Sequence, residues 1–215
     1  RLILSFCLPI VAGNLFQQLY SLVDTLVIGQ VEGVTALAAV SSAGWLDWLV
    51  LGLAMGLAQG FSIQVAQCFG AEDYAGIRRA VGQSVLLSAG VVALLTLLSQ
   101  TLLYPTLVLL RSPDNTIDLT CQYLRIIFSG ITLVMGFNLL SGILRSLGDS
   151  RTPLYAMTAA ALCNIVLDIL FVATFRWGVS GVAIATVISQ GVSCLICLLA
   201  LRRLPFLRLS RADLR

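Results

Sequence analysis

Six long stretches of this sequence contain no charged residue, and this pattern limits what the chain can fold into. The stretches are residues 2–23, 48–71, 80–110, 126–144, 152–167 and 177–201. A helix needs about 20 mostly apolar residues to cross the hydrocarbon layer of a bilayer, and most of the stretches reach that length. We therefore predict an all-α, polytopic membrane bundle with six transmembrane helices.

Composition excludes the soluble classes of protein. Hydrophobic residues make up 59% of the chain and charged residues 11%, whereas a soluble domain has about 25% charged residues. A soluble enzyme, a nucleic-acid-binding module and a disordered tail are therefore excluded. The chain has no histidine, so a proton-coupled step would have to use carboxylates. We interpret the six cysteines as small packing residues and expect no cofactor.

Short segments rich in turn-forming residues separate the predicted helices. The helices are predicted over residues 2–28, 34–69, 77–110, 117–147, 153–175 and 179–201. Together they form one six-helix lobe, residues 1–201. The remaining residues, 202–215, are rich in arginine, and we interpret them as a basic cytoplasmic tail or a linker between lobes.

The arginines give the predicted bundle an orientation. With the amino terminus in the cytoplasm, ten arginines lie on the cytoplasmic side and three, Arg111, Arg125 and Arg176, on the other. Cytoplasmic loops of membrane proteins carry an excess of basic residues. We therefore predict a multi-pass protein of the plasma membrane, the inner membrane in a bacterium, with both termini in the cytoplasm.

Three carboxylates, Asp24, Asp47 and Asp168, fall within the predicted membrane spans. A charged side chain at the centre of a span costs about 2.5–3.5 kcal/mol on insertion scales, and such residues usually mark a transport or coupling site. Asp168 lies eight residues before the turn that follows it, and Thr186 lies eight residues after that turn. At 1.5 Å per residue, both lie about 12 Å below the turn that joins their helices. Asp24 lies in the outer half of the first predicted helix, so the three side chains can share a layer.

Polar side chains continue along the same helix faces. Asn164 precedes Asp168 by four residues, which places both on one face of their helix. In the first predicted helix Asn14, Gln17 and Ser21 form a polar stripe with Asp24, and in the sixth Gln190 follows Thr186 by four residues. Polar stripes of this kind are expected to face a cavity. We therefore predict five residues as lining a substrate cleft: Asn14, Gln17, Ser21, Asp47 and Gln190.

Two carboxylates with amide and hydroxyl oxygens are suited to carrying a proton or binding Na⁺. We therefore predict a cation site at Asp24, Asn164, Asp168 and Thr186. The alternative is that the aspartates only join helices through hydrogen bonds, and this alternative stays open above all for Asp47, which lies between Trp45 and Trp48.

Glycine recurs every fourth residue at Gly52, Gly56 and Gly60. Small residues at this spacing permit close approach of two membrane helices. We therefore expect the second helix to pack tightly against a neighbour along this face.

The sequence resembles the amino-terminal lobe of the MATE (multidrug and toxic compound extrusion) transporters. The stretches that carry the resemblance are Pro9–Gly29, Ala36–Val40, Gln67–Ala71, Ile143–Pro153 and Asn164–Asp168. The resemblance implies one lobe of a twelve-helix antiporter that exports organic, often cationic, drugs or metabolites in exchange for H⁺ or Na⁺. It adds Asn138 to the four residues of the cation site.

The resemblance also implies partners. We expect a small-molecule substrate, membrane lipid and a second six-helix lobe, supplied by a missing carboxyl-terminal half or by a second copy of the chain.

Two other functions were weighed. A flippase for lipid-linked oligosaccharides or polysaccharides has a similar topology. Its anionic substrate would be expected to need arginines in the cleft. Here the three non-cytoplasmic arginines lie near helix ends, which argues against a flippase. An intramembrane aspartyl protease would carry Tyr-Asp and Gly-x-Gly-Asp on adjacent helices, and the sequence has neither motif. We therefore expect a transporter and not an enzyme.

Overall fold

A computed structural model describes residues 2–31, 33–110 and 114–204 of the chain, and these residues form a bundle of helices. The helices are α1 (Leu2–Val31), α2 (Val34–Gly70), α3 (Tyr74–Leu109), α4 (Asp114–Ser129), α5 (Ile131–Ser146), α6 (Arg151–Asp168) and α7 (Gly178–Arg202), with a π-helical segment (Ile169–Thr174) directly after α6. The described ranges contain no strand, so the all-α prediction is confirmed. Residues 205–215 of the predicted tail lie outside the described residues.

Aspartates fix where two of the helices begin. The Oδ1 atom of Asp73 accepts a hydrogen bond of 2.8 Å from the Gly76 amide at the start of α3. Asp149 Oδ1 accepts hydrogen bonds of 3.0 Å from the amides of Arg151 and Thr152 at the start of α6. A carboxylate at a helix amino terminus satisfies unpaired amides and interacts favourably with the helix dipole. These local signals explain why the predicted turns and the observed turns agree.

The predicted fourth helix, residues 117–147, is not continuous. It is broken at Gly130 into α4 and α5, which are bent by 44° relative to each other. A Cβ atom at Gly130 would lie 2.7 Å from Val187 Cγ2 on α7. Glycine therefore lets the bend approach α7 more closely than any other residue would permit.

Several helices have the length and composition of membrane spans. Within the described residues, α2, α3, α7 and the unit formed by α6 and the π-helical segment each pass this test, and the bent pair α4–α5 makes a fifth span if it crosses as one unit. Helix α1 is 30 residues long, or about 45 Å, which exceeds the hydrocarbon thickness of about 30 Å.

The helices form a ring that is weakly closed on one side. Helix α1 packs on α6, α6 on α7, α7 on α5, and α5 on α2. Contact between α1 and α2 is much less extensive. The interior of the ring is therefore most accessible between α1 and α2.

The expectation that the glycine repeat of α2 packs against a neighbouring helix is wrong for the described residues. A Cβ atom would meet nothing within 4 Å at any of the three positions, Gly52, Gly56 and Gly60. The close approach between α2 and α5 is made elsewhere. A Cβ atom at Gly142 of α5 would lie 2.9 Å from Ser62 Cβ of α2, and nearby Ser146 Oγ donates a 2.7 Å hydrogen bond to the Ser62 carbonyl.

This difference predicts opposite effects for two chemically identical substitutions. Gly142→Ala should lower the unfolding temperature in detergent, because the added methyl group forces α2 and α5 apart and overpacking costs about 1–3 kcal/mol. Gly56→Ala should leave it unchanged or raise it, because alanine is about 1 kcal/mol more favourable than glycine in a helix. Equal effects of the two substitutions on thermal unfolding would contradict the assigned contact.

Candidate functional site

Asp24, Asn164, Asp168 and Thr186 come together from three helices. Thr186 Oγ1 of α7 lies 3.4 Å from Asp24 Oδ2 of α1, and this hydroxyl shares its one proton between Asp24 and the Val182 carbonyl, which is 3.0 Å away. Asp24 also lies within interaction distance of Asp168 and Asn164 on α6. Asp168 is completely buried and Asn164 is 1% exposed. We call these four residues the aspartate cluster.

The aspartate cluster leaves polar atoms unsatisfied. Within the described residues, Asp24 Oδ1, both carboxylate oxygens of Asp168 and both polar side-chain atoms of Asn164 are buried and have no hydrogen-bond partner. Buried polar groups in proteins are almost always paired. Two carboxylates this close also repel each other when both are charged. A proton or a small cation would relieve both problems.

The donor set of the cluster selects among cations. It offers carboxylate, amide and hydroxyl oxygens, which suit hard cations such as Na⁺ and not metals that prefer thiolate or imidazole. The described part of the chain contains no group of three or more His, Cys, Asp or Glu side chains that could hold a metal ion. The oxygen atoms of the cluster fit a proton or a single alkali cation, which needs no such group.

A π-helical segment begins at the residue after Asp168 and covers Ile169–Thr174. Its wider turn is visible in the hydrogen bond from the Phe175 amide to the Leu170 carbonyl, at 3.0 Å. Segments of this type occur frequently at functional sites. The predicted helix 153–175 therefore changes its winding at the buried carboxylate, which the apolar sequence after Asp168 gave no reason to expect.

Two adjoining cavities open beside the cluster inside the ring of helices. The first, the carboxylate cavity, has a volume of about 440 Å³ and includes Asp24, Asp47 and Thr186 in its wall. The second, the amide cavity, has a volume of about 260 Å³ and is lined mainly by polar side chains: Asn14, Gln17, Gln59, Asn138, Arg145, Gln190 and Ser193. Both cavities share Gln17, Met55 and Gln190, so together they form one cleft, whose wall is more polar in the amide cavity and more apolar in the carboxylate cavity.

The structure places every predicted cleft residue on a cavity wall. Asn14 lines the amide cavity, Ser21 and Asp47 line the carboxylate cavity, and Gln17 and Gln190 line both. Asp47 Oδ1 is buried and has no hydrogen-bond partner within the described residues, so this oxygen does not join Asp47 to another helix.

Asn138 is the fifth residue predicted for the cation site. Its Nδ2 atom donates a 2.8 Å hydrogen bond to the Val134 carbonyl of its own helix, and its side chain lines the amide cavity. In the described part of the chain the structure shows no hydrogen bond from Asn138 to Asp24 or Asp168. The resemblance alone assigns Asn138 to the cation site, and its place there stays a prediction.

Arg145 and Gln59 line the cleft although the sequence analysis did not select them. Arg145 was counted among the cytoplasmic arginines because it lies near a predicted helix end. A usable signal was present, since Arg145 follows Asn138 by seven residues, and two helical turns return a side chain to the same face.

The fold and the cleft define a class: a helical bundle with helices of membrane-spanning length and a buried carboxylate pair beside an internal cleft. The MatE family model matches residues 9–170, and the chain belongs to this family.

Comparisons with individual proteins agree with this assignment. The chain is 36% identical over 194 residues to the probable multidrug resistance protein YpnP of Bacillus subtilis, covering 88% of this chain and 43% of that protein. It is 29% identical to the FAD transporter of Shewanella oneidensis, covering 88% and 42%. An outward-facing MATE transporter structure superposes with a TM-score of 0.92 at 28% identity, covering 100% of this chain and 48% of that one. The chain thus spans about half the length of the relatives it matches.

The geometry of the aspartate cluster predicts a specific cross-link. In a cysteine-free background, Asp24→Cys combined with Thr186→Cys should be joined by a short bifunctional thiol reagent, because the two native side chains are 3.4 Å apart. The matched control is Thr25→Cys with Thr186→Cys, since the exposed Thr25 hydroxyl bonds to the Ser21 carbonyl of its own helix. Mass spectrometry of the digested protein should find the first pair linked and not the second. Equal linkage of both pairs would contradict the placement of α1 against α7.

Proposed function

We propose that this chain is one lobe of a secondary antiporter that exports organic drugs or metabolites in exchange for H⁺ or Na⁺. The observation that carries the proposal is the buried Asp24–Asp168 pair with its unsatisfied oxygens, of which Asp24 lines the carboxylate cavity. Membership of the MatE family and the multidrug resistance relatives support an export function.

The cluster joins ion binding to the shape of the cleft. Asp24 lies on α1, while its partners lie on α6 and α7. A bound cation attracts both carboxylates, and its loss leaves two charges that repel. Because α1 has little contact with α2, we infer that a shift of α1 on ion exchange widens or narrows the opening of the cleft.

We further propose how the lobe is completed and placed. Relatives of about twice the matched length support a second lobe facing this one, either elsewhere in the same polypeptide or in a second copy. The arginine distribution supports a bacterial inner-membrane protein with both termini in the cytoplasm.

One observation favours the alternative, a flippase for an anionic lipid-linked saccharide. The argument against it was that the cleft has no arginine, and Arg145 on the wall of the amide cavity removes that argument. The relative from Shewanella oneidensis is named as a FAD transporter, which also brings an organic anion into the range of substrates considered. The two functions differ in whether transport requires an ion gradient.

The antiport proposal is tested by Asp168→Asn in the full-length transporter reconstituted in vesicles. Ethidium transport driven by an imposed Na⁺ or H⁺ gradient should fall to the leak rate, because the amide no longer exchanges a proton or attracts a cation. Asp118→Asn serves as the control, since Asp118 is an exposed residue of α4 and its loss should change nothing. The gradient that drives the wild type identifies the coupling ion.

Unchanged gradient-driven transport in Asp168→Asn would contradict the role of the aspartate pair. Transport of a lipid-linked saccharide without any ion gradient would support the flippase in place of the antiporter.

A further inference from the structure

The two cavities of the cleft differ in charge. The carboxylate cavity includes Asp24 and Asp47 in its wall. The described residues that line the amide cavity include Arg145 and no aspartate or glutamate. The cleft therefore runs from an acidic end to a basic end.

Arg145 reaches the amide cavity from the last turn of α5. It is half-buried, and its Nη2 atom donates a 3.4 Å hydrogen bond to Ser141 Oγ on the preceding turn. The guanidinium group has five N–H donors, so its one hydrogen bond within the described residues leaves most of its capacity there free to meet a ligand.

The other polar groups around the amide cavity are neutral. Amide side chains of Asn14, Gln17 and Gln59 can turn their NH₂ groups toward the interior. A single cation surrounded by neutral donors favours an anion and disfavours a second cation. Arginine pairs with carboxylate and phosphate through two parallel hydrogen bonds, and lysine does not reproduce this geometry.

We propose that the amide cavity binds the anionic group of an organic substrate, a carboxylate or a phosphate, through Arg145. The cavity volume of about 260 Å³ is below the roughly 300–1,000 Å³ of pockets that enclose a whole drug-sized ligand. The rest of the substrate extends past Gln17 and Gln190 into the carboxylate cavity, beside Asp47 and Trp48. The substrate thus lies in a fixed direction, with its anionic end toward α5. This inference rests on the proposed export function and adds the charge of the substrate.

The alternative is a purely structural arginine. A basic residue in the last turn of a helix interacts favourably with the helix dipole, and long basic side chains extend from a helix end toward water. A structural role would make the loss of Arg145 affect all ligands alike. A binding role would affect only ligands that carry the anionic group.

The test uses two dyes that differ only in this group, a rhodamine with a free carboxylate and its methyl ester. Binding to the full-length transporter in lipid nanodiscs is measured by fluorescence anisotropy for wild type, Arg145→Gln, Arg145→Lys and Arg151→Gln. The last variant is the matched control, because Arg151 is exposed at the start of α6 and its removal changes the net charge equally.

We expect Arg145→Gln to weaken binding of the free-carboxylate dye about tenfold and to leave that of the ester within twofold. Arg145→Lys should fall between wild type and Arg145→Gln for the carboxylate dye, and Arg151→Gln should match the wild type. Equal weakening of both dyes, or no weakening of either, would overturn the proposal. The affinities are measured without an ion gradient. A failure of ion coupling at Asp168 would therefore cause neither equal weakening of both dyes nor the absence of any weakening.

Discussion

The Asp24–Asp168 pair is the interaction on which the remainder of this structure depends. Two carboxylates inside a membrane bundle are costly, and the aspartate cluster offers them one threonine hydroxyl at 3.4 Å while several oxygens stay unsatisfied. Removing a group from water without a partner destabilises the folded state. Under the proposed function, a bound proton or cation offsets this cost, and the packing of α1 against α6 and α7 responds to the ion.

In the proposed function, the arrangement of helices turns this local response into a change of the cleft. Helix α1 carries Asp24 and also the cleft residues Asn14, Gln17 and Ser21. Its main packing partner is α6, which carries Asp168, and its contact with α2 is slight. In the proposed antiporter, ion binding and substrate binding act on the same helix, and antiport requires such a link between two ligands.

Sequence reasoning predicted the residues that meet at the cluster because depth in a membrane helix is a simple function of residue number. Asp168 and Thr186 lie equally far from one turn, and the structure brings both to Asp24. Features that depend on contacts between distant helices, such as the bend in the fourth predicted helix, could not be predicted from the sequence. Gly130 is ordinary in the sequence, and the nearness of Val187, which leaves no room for a side chain at the bend, is visible only in the structure.

The same limit applies to the glycine repeat of α2 and to Arg145. Small residues at the right spacing permit close packing but do not specify a partner, and the repeat is open in the described lobe. Counting arginines along the chain placed Arg145 at a helix end, which is correct for its backbone. Its long side chain reaches the amide cavity, and a count along the chain does not contain that information.

Cation binding to the purified full-length transporter tests the central claim most directly. Trp48 lines the carboxylate cavity together with Asp24, so its fluorescence should report on the cluster during a Na⁺ titration at two pH values. The account predicts a saturable response to Na⁺ or to pH that disappears in both Asp24→Asn and Asp168→Asn. A response that persists in either variant, or a wild type that responds to neither ion, would contradict it.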